Sequence, residues 1–316
     1  MRRCLVLLAA LLPLLVRAAP TVHHFTFEND GFFDSDRYYT NGVQWSALRQ
    51  PATRAAWAPD SWGPAYAEQF SIGQLMYTPA DIALPGPQPY DHPYAGLLYG
   101  EQMWQFLRPD QLQMTSISLR VGLTGRPSLA EQTQKFIHRV LGRAEPLGWE
   151  YQIPARLGLM LTGERRVAIP ALAAELGGGL QSRVAVWGKL AAGNLQTYAG
   201  AGAMLSLGKQ LPPLLPPPPG IQNTLAPEDS SCLFARLRCT VYAGLEWRYF
   251  ARNLYVDAPL ISLRRTVRDT VAGVHLAWPA SRWFLQLQAT WRTPEFRSPL
   301  PVYAHRFGAL TLGTEW

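Results

Sequence analysis

The chain has 316 residues, of which 16% are charged and 11% aromatic, and 29 Lys and Arg against 22 Asp and Glu give a net charge of +7. The basic residues are scattered in ones and twos, as at Arg165-Arg166, with no concentrated patch interleaved with stacking aromatics, so nucleic acid is not an expected partner. Excess arginine has a simpler use at a surface crowded with phosphorylated lipid, and a mean hydropathy of −0.06 leaves the pattern along the chain to separate soluble protein from membrane barrel.

Arg2 and Arg3 precede an apolar run from Leu5 to Val16, followed by Arg17-Ala18. The run is too short for a spanning helix and reads as a secretory signal peptide over residues 1–18. The mature chain, 19–316, then keeps Cys232 and Cys239, close enough to bridge a local loop in an oxidising compartment or to remain two thiols.

No later run is long enough for a transmembrane helix. Segments of about ten residues with alternating character, separated by Gly, Pro and Asn turns, instead predict β-strands of an outer-membrane barrel. They fall at Thr21–Glu28, Thr40–Leu48, Ala67–Met76, Tyr94–Phe106 and Gln113–Gly122. Further ones fall at Arg183–Ala192, Leu195–Leu207, Ala235–Phe250, Thr270–Trp278, Arg282–Arg292 and Tyr303–Trp316, with one or two more between Tyr151 and Leu180. The expected fold is all-β, an antiparallel transmembrane barrel of about twelve strands. A last strand ending on Trp316 and eleven tryptophans in all agree with it, since such rings collect at membrane interfaces. The Pro-rich run Leu211–Gly220 cannot pair in a sheet and is expected as an extended loop.

Ser128 to Leu141 breaks the strand pattern. Ser128 with Glu131 three residues on predicts a capping box, and Gly142 a C-terminal stop. At 100° per residue Glu131, Gln134 and His138 share one face, opposite Phe136 and Val140. On spacing alone, a solvated polar face accounts for all three residues as well as a site does.

The segment Glu28-Asn29-Asp30 through Tyr39-Thr40-Asn41-Gly42 concentrates hard oxygen ligands and amide donors where the first hairpin should turn. Together with Tyr77-Thr78-Pro79, Asp91-His92-Pro93-Tyr94-Ala95-Gly96, Glu131 with Gln134 and His138, and Gly148-Trp149 with Gln152, it resembles the outer-membrane lipid A 3′-O-deacylase family. Gly244-Leu245-Glu246-Trp247-Arg248 and Ala251-Arg252-Asn253-Leu254 extend the likeness over essentially the whole mature chain.

The resemblance implies calcium-dependent hydrolysis of the ester holding the acyloxyacyl group at the 3′ position of lipid A in lipopolysaccharide. The site would lie at the outer-leaflet end of a barrel in the bacterial outer membrane, among its lipids. Asn29, Asp30, Thr40 and His138 match the family's active-site positions, with Gln134 in support. Histidine titrates near neutral pH and suits a general base acting on water. Asp30 and Asn29 are the expected Ca²⁺ environment, polarising the ester and stabilising the oxyanion, although Asn29 serves equally as an amide donor. Thr40 is read as a positioning hydroxyl rather than a nucleophile, and Glu28, Asp34 and Asp36 are further ligand candidates. Two departures stand out. Thr78 to Tyr90 has neither Lys nor Arg, where some family members carry a lysine, and His92 replaces an arginine, which would make a cationic contact depend on pH. An outer-membrane phospholipase and a small non-enzymatic porin are the alternatives, and a monomer is expected because a closed barrel has no free sheet edge.

Overall fold

A computed structural model describes residues 21–214, 237–278 and 280–315. The predicted signal peptide, Cys232, positions 215–220 of the Pro-rich run and Trp316 lie outside the described residues. The strands are β1 (Thr21–Asn29), β2 (Tyr38–Arg49), β3 (Ala65–Thr78), β4 (Ala95–Leu107), β5 (Gln113–Thr124), β6 (Leu157–Ala168) and β7 (Ala174–Gly177). They continue as β8 (Leu180–Gly193), β9 (Gln196–Lys209), β10 (Arg238–Asn253), β11 (Ser262–Leu263), β12 (Thr266–Trp278), β13 (Trp283–Arg292), β14 (Phe296–Arg297) and β15 (His305–Glu315).

Twelve of these close an antiparallel barrel. Each pairs with its sequence neighbour in the ring, β6 pairs directly with β8 from Met160↔Gly193 to Ala168↔Ala185, and β1 meets β15 from Val22↔Glu315 to Asn29↔Gly308. The short β7 folds back on β8, and β11 pairs with β14 as a separate two-stranded ribbon. The expected segments therefore all become barrel strands, and the interval between Tyr151 and Leu180 supplies one wall strand, β6, plus the short β7.

The two faces are inverted relative to a soluble barrel. Alternate residues of β10 illustrate it: Val241, Trp247 and Tyr249 are exposed on the outer wall, whereas Tyr242, Arg248 and Phe250 are buried in the lumen. Leu119, Leu159, Leu161, Leu190, Leu287 and Leu312 continue the apolar exterior. Rings bracket it at both ends, with the pair Trp278↔Trp283 at one and Trp247, Tyr249 and Trp291 toward the other, the arrangement of an outer-membrane barrel.

The lumen is filled rather than open. Arg120 binds Glu101 at 2.7 Å, and Lys189 bridges Glu164 at 3.1 Å and Glu246 at 3.4 Å. Arg248 and Arg292 share Asp269 at 2.5 and 2.8 Å. Toward one rim an aromatic layer succeeds these ion pairs, including Tyr39, Tyr77, Tyr99, Tyr198, Phe250 and Tyr255, with the Tyr77 and Tyr255 rings stacked 4.6 Å apart. Among the described residues the internal space bounded by Glu28, Tyr39, Arg166 and Asp269 is a void of about 70 Å³. A porin reading expects luminal charges of both signs, and they are present, but they are spent on one another.

Asp269 is the carboxylate on which two buried guanidinium groups depend. Asp269→Ala should destabilise the barrel by about 3–5 kcal/mol, the cost of breaking a buried ion pair on one side, measured by urea unfolding in lipid vesicles.

Candidate active site at the barrel rim

The rim bearing the aromatic layer also carries helix α1 (Ala130–Val140) in the connection from β5 to β6. Its start differs from the sequence expectation. Ser128 belongs to a 3-10 turn and its hydroxyl donates to Gly125 O at 2.6 Å. Leu129, in the left-handed region at φ 60°, is the N-cap, without a side-chain cap bond. Glu131 pairs with Lys135 at 2.8 Å rather than completing a capping box. The end follows expectation: Gly142 has φ +64°, and Gly142 N and Arg143 N bond Arg139 O and His138 O at 3.2 and 2.8 Å, a Schellman closure.

The helix rests on the outside of the wall. Gln74, on the outer face of β3, donates to Ser128 O at 2.6 Å, and Met76 packs with Ala130, Tyr94 and Trp149. A side chain at Gly96 would meet Ser128 Oγ at 2.1 Å and Ala130 Cβ at 2.5 Å, so glycine sets how closely helix and wall approach. The polar face turns inward: Gln134 and His138 are 3% and 6% exposed, against 59% for Phe136 and 66% for Val140. A solvated polar face is excluded, and the apolar face is the one presented outward.

The buried face meets the turn between β1 and β2. His138 Nδ1 lies 2.6 Å from Ala144 O; a carbonyl only accepts, so Nδ1 carries a proton, and a second proton must lie between Nε2 and the carboxyl oxygen that it meets. Nε2 lies 3.1 Å from Asp36 Oδ2. Gln134 donates to Asp36 Oδ1 at 3.2 Å and accepts from the indole N–H of Trp149 at 2.8 Å. That indole can only donate, which fixes the orientation of the Gln134 amide. Trp149 thus holds Gln134, Gln134 and His138 hold Asp36, and Ala144 orients the imidazole.

Asn29 ends β1 and accepts Gly31 N–H on its Oδ1 at 2.6 Å, capping a short turn Asp30–Phe33. That turn buries Asp30, whose Oδ2 accepts Arg37 N–H at 2.7 Å. Burial pushes the Asp30 carboxyl up to about 7, with the charge of Asp36 adding to it. Burial likewise raises Asp36, offset in part by the positive fields of His138 and Arg143. The charge of Asp36 is thus felt at Asp30, and both carboxyl groups are buried at a cost.

Thr40 is the extra residue of a β-bulge, since the β2–β3 register passes from Tyr39↔Tyr77 to Asn41↔Met76; bulges re-aim side chains in this way. Its hydroxyl meets Thr78 Oγ1 at 2.7 Å, and Thr78 in turn donates to Asp36 O at 3.4 Å. Among the described residues the Thr40 hydroxyl therefore touches no base.

The remaining acidic candidates separate. Glu28 faces the lumen and accepts from Tyr39 at 2.6 Å, and Asp34 is exposed at the end of the turn, with φ 53°. His92 is buried and stacks on Tyr77 at 5.4 Å. Burial lowers its pKa, so it is a neutral part of the rim packing rather than a cationic contact. The positive group that reaches this site is Arg143, whose Nη1 is 4.0 Å from the Cβ position of Gly31. Sequence reading missed Trp149 as a supporting donor, Arg143, the Ala144 carbonyl and the pairing of Asp36 with His138. Only Trp149 had a signal, its place in the Gly148-Trp149 motif.

Fold and site together define an outer-membrane β-barrel with a buried polar cluster on its outer wall beneath a rim helix. The family model described as outer membrane protein LpxR matches residues 4–316, and the chain belongs to that family, the lipid A 3′-O-deacylases. LpxR from Salmonella typhimurium is similar in structure, with 19% identity, a TM-score of 0.75, and 93% of this chain and 99% of that chain covered. The β domain of the Bordetella autotransporter BrkA aligns over 94% of this chain and 98% of its own, with 10% identity and a TM-score of 0.45. No curated protein matches the sequence.

The raised Asp30 carboxyl has a stability consequence. Between about pH 4 and about pH 7 the unfolded chain ionises this group while the folded chain keeps it protonated, so its contribution falls as pH rises through that window and levels off above it. Asp30→Asn should flatten that part of a pH series of urea midpoints.

Proposed function

We propose that this protein hydrolyses the ester linking the acyloxyacyl group to the 3′ position of lipid A, in a calcium-dependent reaction. Family membership supports the reaction class. The observation that carries the reading is the juxtaposition of His138 and Asp36 on the lipid-facing side of the barrel, 3.1 Å apart, beneath a helix whose apolar face points outward. A lipid ester reaches such a site sideways, without leaving the membrane.

His138 accepts the proton of a water at Nε2 once the proton held between Nε2 and Asp36 has left, while Nδ1 stays protonated on Ala144 O. The contact with Asp36 opens to admit the water, and Asp36 then stabilises the imidazolium. Thr40, bonded to Thr78 and to no base, positions rather than attacks. Asn29 has its carbonyl oxygen turned to Gly31 N, which leaves its amide N–H₂ to donate to the developing oxyanion. Arg143 supplies the positive charge that Thr78 to Tyr90 lacks.

The donor chemistry fits a hard cation. Asp30 and Asp36 are carboxyls both raised by burial, with the charge of Asp36 felt at Asp30, and a bound divalent ion would relieve both. Among the described residues no three His, Cys, Asp or Glu side chains group around one point. Two carboxylates supplemented by neutral oxygens are nonetheless a set that Ca²⁺ accepts. Bound there, calcium would polarise the ester carbonyl.

A serine-dependent phospholipase is less well supported, because among the described residues the His138 ring meets Asp36 and Ala144 and no serine. The deciding experiment is mass spectrometry of lipid A from cells expressing the protein, with and without a calcium chelator. The wild type should release one acyloxyacyl unit only with calcium, and His138→Ala should slow release by about 10²-fold or more. Unchanged lipid A with the folded wild type in calcium would overturn the reading. A second set, Asp36→Asn, should retain the fold and lose most turnover, since it removes the partner that stabilises the imidazolium.

A further inference from the structure

A cavity lies on the outer wall rather than in the lumen. It measures about 610 Å³ and is bounded by Phe32, Phe33, Leu205, Val241, Val274 and Leu287, within the roughly 300–1,000 Å³ typical of small-ligand pockets. Its floor consists of outward positions held by the smallest residues. Ala243 pairs with Ala272, Ala272 with Ala289, and Ala289 with Gly308. One step further, Gly308 pairs with Asn29. The floor is therefore a straight row across four strands that ends at a residue of the active site.

A parallel row forms one bank. Val241 pairs with Val274, Val274 with Leu287, Leu287 with Leu310, and Leu310 with Phe27. The site end is roofed by the Asp30–Phe33 turn: Phe32 lies on Gly308, and Phe33 lies 6.4 Å from Trp291. One turn of four residues thus buries Asp30 in the site and places two phenyl rings over the groove. At the far end Ala243 pairs with Leu205, whose side chain closes the row.

The direction of the row identifies its occupant. Asn29 is the last residue of β1, at the rim, whereas Ala243 is only the sixth of the sixteen residues of β10. A line perpendicular to tilted, staggered strands descends from the rim into the membrane-embedded wall. Four strand steps at ~4.8 Å each carry it about 19 Å. An apolar groove that starts beside Asn29, runs down into hydrocarbon and stops at Leu205 has the shape of one extended fatty-acyl chain.

We infer that this groove seats an acyl chain of the lipid substrate and that Leu205 sets the length it accepts. The inference rests on the lipid-esterase reading above and adds the part of the substrate that fixes chain-length preference. Filling the groove at Ala243 should disfavour long chains, and emptying its end at Leu205 should admit longer ones.

The test uses the full-length barrel in detergent micelles and synthetic lipid A esters differing only in acyl length, with Ala243→Phe and Leu205→Ala compared against the wild type. Gly308 is left intact because Phe32 packs on it. Heat-modified gel mobility reports whether each barrel is folded. Ala243→Phe should lower the ratio of long-chain to short-chain turnover by about tenfold, the effect of two methylenes displaced from an apolar surface, and Leu205→Ala should raise it. If Ala243→Phe does not fold, the direction of the Leu205→Ala shift decides alone. Active variants with the wild-type length profile would overturn the groove and leave the esterase standing. A folded wild type that cleaves none of the esters with calcium present would overturn both.

Discussion

The structure depends on closing the ring between β1 and β15. In hydrocarbon an unpaired backbone N–H or C=O costs several kcal/mol, so an open sheet edge is not tolerated there. The eight register pairs from Val22↔Glu315 to Asn29↔Gly308 remove that edge. The last pair of the seam carries a second burden. Asn29 belongs to the polar site and Gly308 to the floor of the outer groove, so the contact that completes the barrel also joins the two regions that a lipid substrate would occupy.

Closure forces the inversion seen everywhere else. Once the outer wall faces acyl chains, the charged residues of the strands turn inward, where each needs a partner. Glu101 with Arg120, Glu164 with Lys189, and Asp269 with Arg248 and Arg292 meet that need and, with the tyrosine layer above them, fill the lumen. Helix α1 follows the same rule from outside. Its apolar residues Phe136, Ile137 and Val140 are exposed while Gln134 and His138 are buried, the reverse of a helix on a soluble protein. The surroundings rather than the pattern decide which face is inside.

This explains what could be read from the sequence. Alternation with period two survives the inversion, because it reports that the faces differ and not which one is wet, so the barrel strands were legible. The helix was legible for the same reason, with Gly142 at its end. Its start was not: Ser128 and Glu131 match a capping box in sequence, but the Ser128 hydroxyl is drawn to Gly125 O and Leu129 takes the cap position. The two-residue strands β11 and β14 are too short to show a period. Within the site, residue types near the first turn pointed to Asn29 and Asp30, yet the pairing of Asp36 with His138 joins positions about a hundred residues apart. The row Ala243–Ala272–Ala289–Gly308 exists only through strand register, which single-strand patterns do not encode.

A site on the outside of a filled barrel suits a substrate that never leaves the bilayer. Pulling a multi-acylated lipid into an aqueous lumen would expose its chains to water at about 0.8 kcal/mol per methylene, whereas lateral approach along the outer wall exposes none. The polar chemistry must then be protected from the membrane instead of the membrane from it. Burial of Asp30, the indole clamp on Gln134 and the outward apolar face of α1 achieve that together. The raised Asp30 carboxyl is the consequence of placing an ionisable group on the lipid side of the wall, away from bulk water.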